Sequence, residues 1–309
     1  MLTIRDLSKT YANGVKALDA VSLDIPNGMF GLLGPNGAGK SSLMRTIATL
    51  QDADAGSIVF DDAGVSLDVL RDKDGVRRIL GYLPQDFGVY PKVRAEDMLE
   101  HLATLKGLAD GKTRRETVKS LLKQTNLWDF RARALGTFSG GMRQRFGIAQ
   151  ALIGNPRLVI VDEPTAGLDP EERNRFLNLL AEIGEQTVVI LSTHIVEDVT
   201  DLCPRMAILS RGRVLLAGEP RGAIEALRGR IWRRQVAKDQ LADYQSRFTV
   251  LSMRRLAGEP VISVHADAQP EPGFESIEPD LEDVYFLKLR EQARALDAGA
   301  ATDPIPVAA

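Results

Sequence analysis

Residues 29–42 read Met29-Phe30-Gly31-Leu32-Leu33-Gly34-Pro35-Asn36-Gly37-Ala38-Gly39-Lys40-Ser41-Ser42. A short uncharged run feeds a glycine-rich turn that closes on a lysine and two serines. From Gly34 to Ser41 the turn fits the spacing G-x-x-x-x-G-K-[ST]. A triphosphate must be held without steric crowding, and glycines let backbone N–H groups turn inward on it. Lys40 is spaced to reach the β and γ phosphates, and the Ser41 hydroxyl to meet Mg²⁺. Residues 41–50 have helical spacing, with Leu43, Ile47 and Leu50 on one face. The positive end of that helix then points at the anion. Strand, phosphate loop and helix in this order predict an α/β fold.

Further along, Leu158-Val159-Ile160-Val161 is an apolar run ending in Asp162-Glu163. Acidic groups at the end of a buried strand are costly unless a cation or proton uses them. Asp162 is the natural partner of Mg²⁺, and Glu163 is placed to polarise an attacking water. Alone, the pair also fits a cap or a surface acidic pair. Before it lies Phe138-Ser139-Gly140-Gly141-Met142, a serine and two glycines ahead of a helix. That is a second anion-binding arrangement. One nucleotide does not need two such loops from one chain, so the second loop is expected to serve a nucleotide held by another subunit.

These segments, in this order, resemble the ATP-binding-cassette (ABC) ATPases, the motors of ABC transporters. The resemblance covers residues 2–218. It implies a P-loop NTPase cassette with an antiparallel β subdomain and a helical insertion at about 96–150, and it implies ATP and Mg²⁺ as cofactors. The family's signature segment is LSGGQ, so Phe138 and Met142 depart from it while Ser139, Gly140 and Gly141 are retained. By resemblance, Ser139, Gly140, Gly141 and Met142 contact the ATP of a partner subunit in a head-to-tail dimer. Asp169, in Ala166-Gly167-Leu168-Asp169, matches the loop that crosses that interface. Gln85, in Tyr82-Leu83-Pro84-Gln85, matches the glutamine that meets Mg²⁺ or water and faces the membrane partner. His194 matches the γ-phosphate sensor, and Tyr11 the adenine-stacking aromatic. Read alone, Gln85 fits a solvated loop, His194 a hydrogen-bonded strand end and Tyr11 a hairpin core. Arg143 and Arg145 read as a solvated helix face. Cys203 reads as buried packing.

Leu281-Glu282-Asp283-Val284-Tyr285-Phe286 resembles the ending of ATPase subunits paired with ABC-2-type exporter permeases. The Gly167-Leu168-Asp169-Pro170 form and residues 90–93, YPKV, point the same way. The implied protein is an ATP-hydrolysing subunit that dimerises with itself or a related subunit and drives a separate transmembrane permease. The alternative is a soluble ABC ATPase acting on ribosomes or DNA. Ribosome-acting cassettes come in tandem, whereas this chain has one phosphate loop. Chromosome-type ATPases insert a long coiled coil, and no sustained heptads occur here.

The 309 residues suffice for a large α/β domain and a smaller appendage. A net charge of −3 gives no reason to expect nucleic acid as a partner. A single cysteine excludes an internal disulfide and fits a reducing compartment. No run of eighteen apolar residues occurs, and the first residues hold no apolar signal core. The expected place is cytoplasmic, peripheral on the membrane's cytoplasmic face.

Strands are expected within the first thirty residues and at 56–60, 79–83, 158–161 and 188–191, with a helix at 171–183. A hairpin is expected around Arg211-Gly212. The expected domains are 1–218, a small α+β appendage at 219–294, and a disordered Ala-, Asp- and Pro-rich tail at 295–309.

Overall fold

Alternating apolar residues at the start of the chain form β1 (Leu2–Thr10) and β2 (Lys16–Ile25). They pair antiparallel, with Leu2 opposite Ile25 and Ile4 opposite Leu23. The two-residue period puts these side chains on one face. The computed structural model describes residues 1–300 apart from 63, 86, 166, 167, 186 and 257, with side chains given through 297. Two compact units are present, Met1–Ala217 and a second that begins at Gly218.

In the first unit, β3 (Gly28–Leu33) runs into the phosphate loop, and α1 (Lys40–Ile47) begins at its lysine. β4 (Ala55–Asp62) and β5 (Val65–Asp68) complete an antiparallel sheet in the order β2-β1-β4-β5. A short helix, α2 (Lys73–Ile79), leads into β6 (Leu80–Leu83). Three helices follow: the amphipathic α3 (Ala95–Leu105) and α4 (Gly111–Gln124), and α5 (Gly140–Ala151), which is buried over most of its second half. They bury Leu99, Leu121, Leu122 and Phe146. The chain then alternates β7 (Leu158–Asp162), α6 (Pro170–Gly184), β8 (Val188–Thr193) and α7 (Val196–Leu202), and ends in the hairpin β9 (Arg205–Ser210) and β10 (Arg213–Gly218).

The second sheet has the order β10-β9-β3-β8-β7-β6. β3 is parallel to β8 and β9, and β7 is parallel to β6 and β8. Every residue of β7 and β8 is buried, as expected for strands covered on both faces. α1 lies between the two sheets. Its Leu43, Met44 and Ile47 share one core with Ile4, Leu18 and Phe60 of the antiparallel sheet and with Phe30, Ile160 and Ile190 of the parallel one. On the other face of β3, a Cβ on Gly31 would stand 2.6 Å from Val199 of α7, so only glycine lets that helix close on the strand.

α1 is shorter than the sequence suggests. Thr49 takes φ 60°, and Leu50, expected on the buried face, is 62% exposed. Arg145 also differs from expectation. It is buried rather than solvated and faces Glu172 of α6, with Nη2 3.4 Å from Oε2.

The second unit contains α8 (Pro220–Glu225), β11 (Ile231–Gln235), α9 (Leu241–Arg247), β12 (Thr249–Leu256), β13 (Glu259–His265), β14 (Glu275–Ser276) and α10 (Leu281–Ala300). Its antiparallel sheet has the order β12-β13-β11-β14 and buries Val250, Ile262, Val264 and Phe274 with Tyr244 of α9. The expected disordered tail is corrected in part. α10 continues through 295–300, where alanine-rich sequence sustains the helix. Residues 301–309 lie outside the described residues.

Cys203 follows α7 and is 4% exposed. Burial pushes its thiol up to about 12, and the Asp198 charge adds to the effect. The thiolate is the reactive form, so the native chain should react with Ellman's reagent at pH 8 at least ~100-fold more slowly than the urea-unfolded chain. Equal rates would show that the end of α7 opens freely.

Candidate active site

The parallel strands meet in register. Leu33 lies opposite Thr193, Asp162 opposite Ser192, and Leu83 opposite Val161. The loops that follow β3, β6, β7 and β8 therefore leave from one edge of the sheet. In open α/β sheets ligands bind outside the carboxyl ends of the strands.

The phosphate loop is held from two sides. Gly39 takes φ 105°, and a Cβ there would run into the Ala17 carbonyl of β2. A Cβ on Gly34 would run into the Leu209 carbonyl of β9. The turn between β9 and β10 braces the loop's far side, with Gly212 N–H donating to the Ala38 carbonyl at 2.9 Å. Within the loop, Ala38 N–H donates to the Pro35 carbonyl at 3.1 Å, and Asn36 and Gly37 form the exposed tip. Lys40 is 5% exposed. Its ammonium donates to the Gly34 carbonyl at 2.6 Å and the Pro35 carbonyl at 3.3 Å. Burial pulls the Lys40 pKa down, while Glu163 and Asp162 pull it back up.

Glu163 follows β7 in the left-handed region, at φ 47°. Its N–H donates to the Ser192 carbonyl at 2.9 Å, which fixes the backbone there. The carboxylate gathers the site's other polar groups. Oε1 is 3.7 Å from Lys40 Nζ, and Oε2 is 3.2 Å from His194 Nδ1. Gln85 Nε2 donates to Oε2 at 3.4 Å. Lys40, His194 and Gln85 thus all meet at Glu163.

Asp162 is 4% exposed, and its Oδ1 is buried without a hydrogen-bond partner. Burial pushes this carboxyl up, with the Ser192 and Ser41 hydroxyls opposing the shift. A buried acceptor without a donor is unfavourable by about 1–3 kcal/mol, so the geometry fits a bound cation beside Ser41. Among the described residues no group of three or more His, Cys, Asp or Glu side chains could hold a metal. An ion here would take ligands from Ser41, Asp162, Gln85 and the nucleotide rather than from an acidic cage.

Tyr11 lies beside α1. Its hydroxyl is 2.9 Å from Ser42 Oγ and donates to Gln51 Oε1 at 3.1 Å. Gln51 in turn donates to the Ser42 carbonyl at 2.8 Å. Gln51 belongs to no motif, so nothing in the sequence singles it out.

Ser139 caps α5, its hydroxyl accepting from Met142 N–H at 3.2 Å. Gly141 rests on α6, where a Cβ would stand 2.5 Å from Glu172 Oε2. Asp169 caps α6, its carboxylate accepting from Glu172 N–H at 2.9 Å. Ala166 and Gly167, quoted with Asp169 above, lie outside the described residues.

Comparison with known proteins agrees with this geometry. Residues 18–166 match the ABC transporter family. The daunorubicin/doxorubicin resistance ATP-binding protein DrrA of Streptomyces peucetius is 35% identical over 267 residues, covering 85% of this chain and 77% of DrrA. The chain belongs to the ABC transporter ATP-binding proteins. Its cassette is the ATP-binding, ATP-hydrolysing domain of that family. The probable multidrug ABC transporter ATP-binding protein YbhF of Escherichia coli is 30% identical over 294 residues, or 90% of this chain. The chain spans 48% of YbhF. Among solved structures, the dimeric post-hydrolysis state of the ATP-binding cassette MJ0796 bound to ADP and Pi has a TM-score of 0.63 at 28% identity. It covers 71% of this chain, and 98% of that cassette is matched.

The departure from the ABC signature at Phe138 has a local explanation. The ring is 2% exposed and meets Phe146 edge-on at 6.3 Å, so it packs among the helices. Ser139, Gly140 and Gly141 remain at the helix start.

Gly39→Ala forces a Cβ into the Ala17 carbonyl at a positive φ. It should lower stability by about 1–3 kcal/mol and weaken ATP binding at least tenfold. Chemical denaturation and a fluorescent-ATP titration measure the two effects. Wild-type affinity in this variant would show that the loop tolerates another shape.

Proposed function

We propose that this protein is the motor subunit of an ABC exporter of the ABC-2 type, acting as a dimer that clamps two Mg·ATP and drives a separate membrane permease. One observation carries the reading. The chain has two glycine-containing loops that each open a helix and are built on different elements: Gly34–Ser41 rests on Ala17, Leu209 and Gly212, while Ser139–Gly141 rests on Glu172 of α6. A second copy turned head to tail gives each loop a share of the same nucleotide. The dimeric form of MJ0796 supports this, and the drug-related names of DrrA and YbhF support an exporter.

In this reading, backbone N–H groups of Gly34–Ser41 and the Lys40 ammonium hold the phosphates. Tyr11 lies under the base. Ser41, Asp162 and Gln85 would hold Mg²⁺, which when bound would neutralise phosphate charge. Glu163 orients and deprotonates water, and His194 contacts the γ-phosphate. Ser139, Gly140, Gly141, Met142 and Asp169 complete the partner's site. General-base help of this kind contributes about 10²–10⁴-fold.

Among the described residues no helix is long and apolar enough to cross a membrane. The permease contact is therefore assigned to this chain's surface. A groove of about 520 Å³ beside β6, the strand leading to Gln85, is lined by Tyr82, Leu102 and Lys106 together with Leu50 and Leu105. Leu50 is 62% and Leu105 70% exposed. Isolated exposed leucines are ordinary, but two along one groove fit an apolar segment of the permease. The chain is thereby held at the cytoplasmic membrane face.

Ser139→Arg should abolish ATP hydrolysis while leaving ATP binding by a single subunit within about twofold. Glu163→Gln should keep binding, lose at least ~100-fold in turnover, and accumulate as an ATP-dependent dimer in sedimentation velocity. Normal hydrolysis by Ser139→Arg would rule out the shared site. Separately, Leu50→Glu with Leu105→Glu should leave the isolated protein's ATPase unchanged and abolish copurification of an integral membrane protein from detergent extracts. Undiminished recovery would move the docking surface elsewhere.

A further inference from the structure

Asp198, in the first turn of α7, is 0% exposed and lies in no motif described above. Its Oδ1 accepts from Arg173 Nε at 2.8 Å and lies 2.7 Å from Nη2 of the same guanidinium, which also donates to Glu197 Oε2 at 3.4 Å. Its Oδ2 receives the Thr165 hydroxyl at 2.8 Å and the Thr193 hydroxyl at 3.4 Å. Thr193 Oγ1 also accepts from Ile195 N–H at 2.9 Å, closing the turn that presents His194. Thr165 and Thr193 are themselves buried, at 3% and 1% exposure.

The placement of these partners is informative. Thr165 and Arg173 stand at the two ends of the segment that contains Asp169. Thr193 stands directly before His194. One buried carboxylate therefore holds both ends of one loop and the root of the other. Stability alone is a poor reason to bury such an ion pair, because an apolar replacement is often as stable. A buried carboxylate tied by a charge-assisted hydrogen bond on one oxygen and by two hydroxyls on the other does fix geometry. Asp169 adds to this by capping α6 one turn before Arg173, through Glu172 N–H at 2.9 Å.

We propose that Asp198 is a positioning residue that couples the Asp169 loop to the His194 turn through Arg173, Thr165 and Thr193. The inference rests on the reading of His194 as the γ-phosphate contact and of Asp169 as an interface residue. A shift of the Asp169 loop pulls on Arg173, and Asp198 passes that shift to Thr193 and the histidine. Asp198 touches no nucleotide in this scheme and acts only through its neighbours.

The chain has three histidines, so ring resonances of His101, His194 and His265 can be followed individually in the full-length protein. Asp198→Asn is nearly isosteric and removes the charge. It should move or broaden the His194 resonance and leave the other two in place. It should lower kcat roughly 10- to 100-fold with KM and ATP affinity within about twofold. Asp169→Ala should move the His194 resonance in the wild-type background and lose that effect in Asp198→Asn. Arg173→Lys keeps the charge without the Nε hydrogen bond and should fall between wild type and Asp198→Asn, and Thr165→Val serves the same comparisons if Asp198→Asn does not fold. Cys203, one turn beyond Asp198, should stay resistant to Ellman's reagent in each variant. An unmoved His194 resonance in Asp198→Asn, or equal effects of Asp169→Ala in both backgrounds, overturns the coupling. Loss of turnover accompanied by rapid Cys203 labelling reduces Asp198 to a purely structural role and also overturns it. Full turnover in His194→Ala would instead sink the assignment of His194 and leave the coupling to be judged by the resonances.

Discussion

β3, β8, β7 and β6 lie side by side and in register, and the whole site depends on that pairing. Each strand ends at the same level, so each releases its loop at the same edge. The phosphate loop, Asp162 with Glu163, His194 and Gln85 are distant in the chain and neighbours in the fold for that reason alone. A one-residue slip of β7 against β8 would move Asp162 from opposite Ser192 and carry Glu163 away from Lys40. Continuous apolar side chains on both faces of β7 and β8 oppose such a slip, because every position is buried against something. Packing of the sheet and geometry of the chemistry are thus one constraint.

Charge is buried around this edge in three different ways. Lys40 is satisfied by backbone carbonyls of its own loop and by Glu163 nearby. Asp198 accepts three hydrogen bonds, from one arginine and two threonines. Asp162 keeps one oxygen without a donor. The contrast separates a fully partnered carboxylate from one that has room for a cation. Glu163 adds backbone strain to the picture, since a non-glycine residue at φ 47° is uncommon and tends to occur where function over-determines the conformation.

Much of this was legible in the sequence because the strongest signals are local. The uncharged run before Gly34 and the apolar runs ending at Val161 and Leu191 announce buried parallel strands. The loops that follow them carry the chemistry at fixed spacing. Weakly patterned elements were not legible. β5 is four residues with no buried position, and α2 reads KDGVRRI with only Gly75 and Val76 inside. α9 buries only Tyr244. Leu50 continues the apolar stripe of α1, yet the backbone turns away at Thr49. Arg145, Asp198 and Gln51 are polar residues in helices or turns, and a sequence gives such residues to solvent by default. Glu172, Arg173 and Tyr11 reach them only after the chain has folded, and no spacing rule encodes that meeting.

The way the phosphate loop holds its own lysine has a thermodynamic consequence. Lys40 spans the loop and bonds to the carbonyls of Gly34 and Pro35, while Ala17, Leu209 and Gly212 fix the loop from outside. Its curved shape is therefore maintained by the protein's internal bonds. A triphosphate entering such a loop exchanges one set of partners for the lysine against another and has no disordered segment to freeze. Binding should then carry little conformational-entropy penalty and a small heat-capacity change from this loop. Any large heat-capacity change on ATP binding would report surface buried outside this loop.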